Sequence, residues 1–192
     1  KTVDSMTYAH CMRVGAMSKD FAKAIGLNEY EQKLSEFSGM FHDIGKMGID
    51  QDIIYKPGKL DMREYEIMKI HPVLSEQIVS PLATVDFMRQ ILPAIRGHHE
   101  RVDGNGYPDN LVGEAIPLSA RIILIVDTYD AMSHTRSYRK GLPDDVIYAE
   151  LKRCAGTQFD SHLVQNFLQA HKSWSMTDEK NETYQLIAKK IA

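Results

Sequence analysis

Seven residues stand out for what they could do together: His10, His42, Asp43, His71, His98, His99 and Asp127. Each lies at or near the end of an apolar helical pattern. From His10 onward they recur at roughly 30-residue separations, about one helix-turn-helix step. Ligands repeated at that interval can converge on one point inside a helical bundle. Imidazole with carboxylate suits iron, manganese, zinc or nickel, and the lack of cysteine in the set argues against a structural zinc knuckle. Seven protein ligands are too many for one catalytic metal that keeps an open position. They match two metals sharing a bridging carboxylate and a bridging water. Asp43, adjacent to His42, is the natural bridge. A single histidine on an apolar helix face is more often a hydrogen-bonded core residue than a ligand. The argument therefore rests on the combination: a His-Asp pair, a spaced His, a His-His pair and a further Asp. His134, His162 and His171 lack that context and read as surface residues or supports behind the ligands.

The His-His pair opens the run His98-His99-Glu100-Arg101-Val102-Asp103-Gly104-Asn105-Gly106-Tyr107-Pro108. It has neither helical nor strand periodicity. Gly104 and Gly106 permit positive φ, and Pro108 fixes its own φ. The expectation is a rigid loop beside the metal site.

These ligands need a scaffold. At 192 residues the chain suits a single domain with a sizeable core. A net charge of −3 supplies no global basic field, which excludes general binding of polymeric nucleic acid. The longest apolar run, Ile122 to Val126, is far too short to span a membrane. No secretory signal is visible. The first residue is Lys1 rather than Met, so the expectation is a piece of a longer protein. Cys11 and Cys154 read as reduced thiols in a cytoplasmic protein, with Cys11 in a packing role.

The apolar spacing predicts helices throughout. Residues 3 to 25 carry Val14, Met17, Phe21 and Ile25 at helical intervals, with Gly26 as the terminator. Asn28 caps a second helix that runs through Leu34 and Phe37 to His42-Asp43. Ile44 to Ile49 and Lys56 to Leu60 are turns. Asp61 caps a helix through Tyr65 and Met68 that ends near His71-Pro72, and residues 73 to 80 are again helical. In a helix over about 84 to 97, Pro93 predicts a kink or break. For the run Ile122 to Val126 a buried helix over 119 to 133 is preferred to a strand, because the pattern continues through Tyr129 and Met132. Helices at about 144–154, 160–171 and 178–190 complete the chain, with a polar hinge over Ser173 to Thr183. The fold expected is all-α, one compact helical bundle. It spans residues 1–192, with a core at about 5–170, a helical tail at about 174–192 and a metal centre inside.

The motifs carry a family resemblance. His42-Asp43-Ile44-Gly45-Lys46 resembles the signature of the HD superfamily of metal-dependent phosphohydrolases. His98-His99-Glu100 followed by Asp103-Gly104-Asn105-Gly106-Tyr107-Pro108 resembles the extended signature of the HD-GYP subfamily. Lys56-Pro57-Gly58-Lys59-Leu60, Asp127-Thr128-Tyr129-Asp130-Ala131-Met132 and Arg136-Ser137-Tyr138-Arg139 also match its pattern. The resemblance implies a bacterial phosphodiesterase that hydrolyses cyclic di-GMP to pGpG or GMP in second-messenger signalling. It implies a metal centre, often iron, with manganese, nickel or zinc as alternatives. By position, His10, His42, Asp43 and Asp127 would hold one metal, and Asp43, His71, His98 and His99 the second. Members with a third metal carry a glutamate where this chain has Met6, so two metals are expected. Another cyclic dinucleotide, such as 3',3'-cyclic GMP-AMP, is the alternative substrate. A module that mainly binds a partner, such as a diguanylate cyclase domain or a sensor or receiver domain, is the alternative role.

Further roles follow from position and chemistry. Lys46, three residues after Asp43, can reach the same phosphate and stabilise developing charge. Asp130 lies nearly one turn after Asp127 and is a candidate to orient water or donate to the leaving oxygen. Arg136 and Arg139 are candidate clamps for the second phosphate. Tyr107 is a candidate to contact the nucleotide, with loop packing as its other reading. Glu100 is either an acceptor behind a ligand imidazole or a loop charge.

Overall fold

The computed structural model describes residues 5–134 and 140–174, without the side chains of Ser5 and Met6. Arg136, Arg139, the Met6 side chain and the expected helix at 178–190 lie outside the described residues. The helices are α1 (Ser5–Ala24), α2 (Glu29–Phe41), α3 (Gln51–Ile54), α4 (Met62–Met68), α5 (His71–Val79), α6 (Asp86–Gly97), α7 (Leu118–Ser133), α8 (Asp144–Arg153) and α9 (Ser161–Trp174). A 3-10 turn over Ile44–Gly48 follows α2. Among the described residues no strand forms; Asp103 with Val112 and Ala155 with Phe159 make isolated bridges. The all-α expectation holds.

Local chemistry sets the boundaries. α1 ends on Gly26 at φ 84°, with Gly26 N donating to Lys23 O and Leu27 N to Ala22 O. This crossed pair satisfies carbonyls that a helix end leaves open. Asn28 then caps α2: its Oδ1 accepts from the Tyr30 and Glu31 amides, and Glu31 Oε2 accepts from the Asn28 amide. Asp61 and Glu64 repeat this capping box at α4.

The apolar run Ile122 to Val126 is helical, and all of it is buried in α7 at the centre of the bundle. α1 packs on α2 and α7, and α9 closes the other side of α1 through the edge-to-face pair Phe21–Phe167 at 5.2 Å. A second apolar cluster joins Val79, Ile91 and Ile95 to Leu34, Phe37 and Phe41 of α2.

Two boundaries differ from expectation. His71 opens α5 rather than closing α4. Pro72 occupies the first turn of α5, where an absent N–H removes no intrahelical bond. α6 starts at Asp86, after a 3-10 turn over Ser80–Leu82, and runs through Pro93 without a break. Ile91 and Ile95 flank Pro93 and are fully buried against α2 and α5, and that packing outweighs the lost bond.

The α1–α2 crossing places His10 relative to His42. It is close because Gly15 faces Gly39: a Cβ on Gly39 would lie 2.9 Å from Gly15 Cα and 3.2 Å from the Val14 carbonyl carbon. Ser18 of α1 and Ser35 and Ser38 of α2 are small and fully buried, and Ser35 Oγ meets Ser119 Oγ of α7 at 3.0 Å. Gly39→Ala should cost about 1–3 kcal/mol, as overpacking does. Urea unfolding would measure the loss. Weaker metal binding should accompany it, because His10 and His42 are forced apart.

Candidate metal centre

Three of the ligand histidines are delivered by helix ends. His42 is the C-cap of α2, His98 the C-cap of α6, and His71 lies just past α4. In each, Nδ1 donates to the carbonyl three residues back: His42 to Gly39 (2.7 Å), His71 to Met68 (2.8 Å) and His98 to Ile95 (2.7 Å). The last carbonyls of a helix have no intrahelical partner. The ring satisfies one of them and is oriented by it. A carbonyl only accepts, so Nδ1 carries the proton and Nε2 is left bare.

His10, in the middle of α1, is held by charge instead. Its Nδ1 donates to Asp130 Oδ2 at 2.7 Å. Arg13 grips the same carboxylate from the next turn, with bonds of 2.7 and 2.9 Å. Asp130 is therefore not among the atoms that face the cluster. Both its oxygens are occupied, and although burial disfavours its charge, His10 and Arg13 hold its carboxyl below the usual range. The expectation that it donates a proton to a leaving oxygen is corrected: it is an ionised support for the His10 ring.

The bare nitrogens collect into groups. His10, His42 and Asp127 form one, His71, His98 and His99 another, and His42, Asp43 and His98 a third that links them. Within each group the ligand atoms all lie within 4.8 Å of one another. Asp43 sits between. Its Oδ2 is 3.5 Å from His42 Nε2 and 3.7 Å from His10 Nε2, while its Oδ1 is 3.2 Å from His71 Nε2. One carboxylate thus turns an oxygen to each side. Asp127 Oδ1 completes the first group at 3.1 Å from His10 Nε2.

This arrangement asks for cations. His71 Nε2 and His98 Nε2 are 3.2 Å apart. With both protons on Nδ1, two lone pairs face each other. His42 Nε2 and Asp43 Oδ1 are buried with no hydrogen-bond partner. Protonation is not an easy remedy at His98 and His99. Burial pushes His98 well below the usual imidazole range, and burial with the neighbouring His71 takes His99 down to about 3. On the other side burial also disfavours a charged His10, but its bonds to Asp127 and Asp130 outweigh that and raise it to about 9. Positive charge is wanted at its Nε2. The donor set of imidazoles and carboxylates fits divalent metal ions.

Neighbouring groups hold the cluster together. Ser75 Oγ donates to the His42 carbonyl (2.6 Å) and accepts from the Gly45 amide (2.8 Å), pinning the turn after Asp43 to α5. Lys46 Nζ donates to Asp43 Oδ2. Burial works against the Asp43 charge, yet Lys46 and His42 hold its carboxyl well below the usual range. In the loop, Gly106 lies so close to the preceding backbone that a Cβ would meet Arg101 N at 2.3 Å. That approach lets Tyr107 N reach the His99 carbonyl and its ring stack on His99, centroids 4.9 Å apart. Glu100 takes neither expected role. It is buried, and its two oxygens accept from the Asp109 and Leu111 amides, tying the loop's far end back to its start.

Of the residues singled out in the sequence, His10, His42, Asp43, His71, His98, His99 and Asp127 converge, with Lys46 and Tyr107 at their edge. Asp130 stands behind His10. His134 and His162 are exposed, whereas His171 is buried among Tyr129, Phe167 and Trp174, away from the cluster. Arg13 and Ser75 were not foreseen. Their only sequence signals are the three-residue step from His10 and the four-residue step from His71, which put each on a ligand's helix face.

Known proteins resemble this chain in sequence and in fold. A family model described as HD domain matches residues 3–163. The cyclic di-GMP phosphodiesterase response regulator RpfG of Xanthomonas campestris pv. campestris is 38% identical over 165 residues, covering 86% of this chain and 43% of that protein. The 3'3'-cGAMP-specific phosphodiesterase 2 of Vibrio cholerae is 37% identical over 164 residues, covering 85% and 31%. The chain thus spans less than half the length of these relatives. Among solved structures, Bd1817, a HDG"Y"P protein from Bdellovibrio bacteriovorus, superposes with a TM-score of 0.71 at 17% identity, over 90% of this chain and 54% of that one. The match over residues 3–163, with the His-Asp pair at the heart of the cluster, places the chain in the HD domain family, as a member carrying the HD-GYP signature.

Proposed function

We propose that this chain is a metal-dependent phosphodiesterase that hydrolyses cyclic di-GMP to pGpG or GMP. The observation that carries the reading is Asp43, with one oxygen turned to His10 and His42 and the other to His71. In this reading His10, His42, Asp43 and Asp127 hold one divalent metal, and Asp43, His71, His98 and His99 hold a second. Iron is the first choice, and manganese, nickel and zinc suit the same donors. When bound, such metals supply the Lewis acidity that activates water and draws charge from phosphate oxygens.

The chain's own groups do the rest. Lys46, half-buried at the edge of the cluster, exchanges its bond to Asp43 for a phosphate oxygen and stabilises charge there. Asp130 and Arg13 keep the His10 ring aimed, and Tyr107 walls the His99 side. Arg136 and Arg139 are the proposed clamps for the second phosphate. The substrate class is supported by the relatives, whose names specify cyclic di-GMP or 3'3'-cGAMP at nearly equal identity. That near-equality favours 3',3'-cyclic GMP-AMP as the second reading, and comparative hydrolysis decides between them. We read residues 1–192 as one domain of a longer cytoplasmic signalling protein, with a sensor, receiver or diguanylate cyclase domain as partner. Among the described residues no helix is long and apolar enough to cross a membrane.

Loaded with Fe(II) or Mn(II), the chain should convert cyclic di-GMP to pGpG or GMP and hold about two metals. Three metals by elemental analysis would overturn the role given to Met6. The double variant His42→Ala with Asp43→Ala should lose turnover and metal while keeping its helical circular-dichroism signal; unchanged turnover would sink the metal mechanism. Lys46→Met should lower kcat by about 10²-fold with metal content intact. Chelation should lower the melting temperature, because it leaves the facing nitrogens of His71 and His98 uncompensated.

A further inference from the structure

Lys69 is the C-cap of α4. It follows Met68, whose carbonyl orients the His71 ring, and stands two residues before His71 itself. Its backbone is thereby fixed relative to the cluster. Its Nζ lies 5.6 Å from the centre of the Tyr65 ring and 5.8 Å from that of Tyr107. Tyr107 in turn stacks on His99. A cation flanked by two aromatic rings therefore stands one ring out from a ligand histidine. Its ion-pair partner is Glu66, on the same helix face at 2.8 Å, with a side chain that is 66% exposed. The Lys69 side chain is half-buried, but its partner is open to solvent and such a pair contributes little, so the ammonium can change acceptor. Tyr65 is 49% exposed, and neither it nor Lys69 takes part in the metal cluster.

We infer that Tyr65, Lys69 and Tyr107 form a purine subsite beside the His71–His98–His99 group, in which Lys69 donates to O6 and N7 of guanine. The inference rests on the cyclic dinucleotide reading and names the base that the site selects. Because Tyr107 stacks on His99, a nucleotide whose phosphate is held at the cluster reaches Tyr107 through its ribose. The next rigid part of the nucleotide is its base, and aromatic rings at that distance are stacking platforms for bases. Guanine presents two acceptors, O6 and N7, to a cation, whereas adenine replaces one of them with the N6 amino donor. An ammonium at this place accepts guanine and opposes adenine. Lys69 is thus a specificity-determining residue for the guanine half of the substrate, compatible with cyclic di-GMP and with 3',3'-cyclic GMP-AMP.

Lys69→Met keeps the chain length and removes the charge. In the metal-loaded chain it should lower kcat/KM for cyclic di-GMP by about 10- to 100-fold, chiefly through KM. Cyclic di-AMP should be affected far less. Metal content and turnover of bis(p-nitrophenyl) phosphate, a diester without a base, should not change. Tyr65→Ala should raise KM for both dinucleotides, since stacking does not read the purine. Equal losses on the guanine and adenine dinucleotides, a loss on the base-free diester, or no loss at all would each overturn the subsite. Equilibrium binding of GMP and AMP to the metal-loaded chain judges Lys69 separately from the reaction. Wild-type preference for GMP that disappears in Lys69→Met supports the subsite even if no cyclic dinucleotide is hydrolysed, a result that would count against the proposed reaction alone. Equal binding of GMP and AMP by the wild type counts against the subsite.

Discussion

Asp43 is the constraint on which the rest of the molecule depends. Its carboxylate is 2% exposed, and its two oxygens face two different groups of imidazole nitrogens. An isolated buried charge of this kind is expensive unless it is paired. Here Lys46 supplies one partner, and the surrounding imidazoles supply nitrogen donors suited to cations. The Nε2 atoms of His71 and His98, which face each other at 3.2 Å while each Nδ1 bonds a carbonyl, make the same demand independently. The interior of this bundle is electrostatically incomplete until positive charge enters it, and that incompleteness is the physical content of the metal site.

The fold serves this by making helix ends converge. His42, His71 and His98 each sit where a helix has run out of partners for its last carbonyls, and each ring takes one of those carbonyls. One hydrogen bond thereby fixes ring orientation, fixes the tautomer and satisfies the helix terminus. His10 lacks a helix end and uses a carboxylate–guanidinium pair instead. The two sides of the cluster consequently differ in charge. The His10 side carries Asp127 with Asp130 behind it, while the His71 side gathers three imidazoles, of which His98 and His99 are held neutral by burial.

The loop after His98-His99 is built as a closed unit. Glu100 ties its far end to its start, and Arg96 bonds Asp109 and Glu76 together beside it. A half-buried loop anchored this way presents Tyr107 in one place. Its ring then stacks on His99 and lies 5.8 Å from the Lys69 ammonium.

Much of this was legible in the chain itself. Helical periodicity, the Asn28 and Asp61 caps and the Gly26 terminator determine an all-α bundle, because each is a local interaction between residues near in sequence. The roughly 30-residue recurrence of histidines and aspartates anticipates the cluster in which these side chains meet, because helix-turn-helix length and convergence are linked. Other features only the tertiary structure decided. Asp130 is one turn from Asp127 in sequence, yet it faces the back of His10, because Arg13 from another helix claims its oxygens. Glu100 bonds amides 9 and 11 residues ahead, a contact that exists only once Gly106 lets the loop fold onto its own start. α6 continues through Pro93 because the neighbouring isoleucines are buried against α2 and α5. In each case the outcome depends on a partner distant in sequence, and local pattern carries no information about which distant group arrives first.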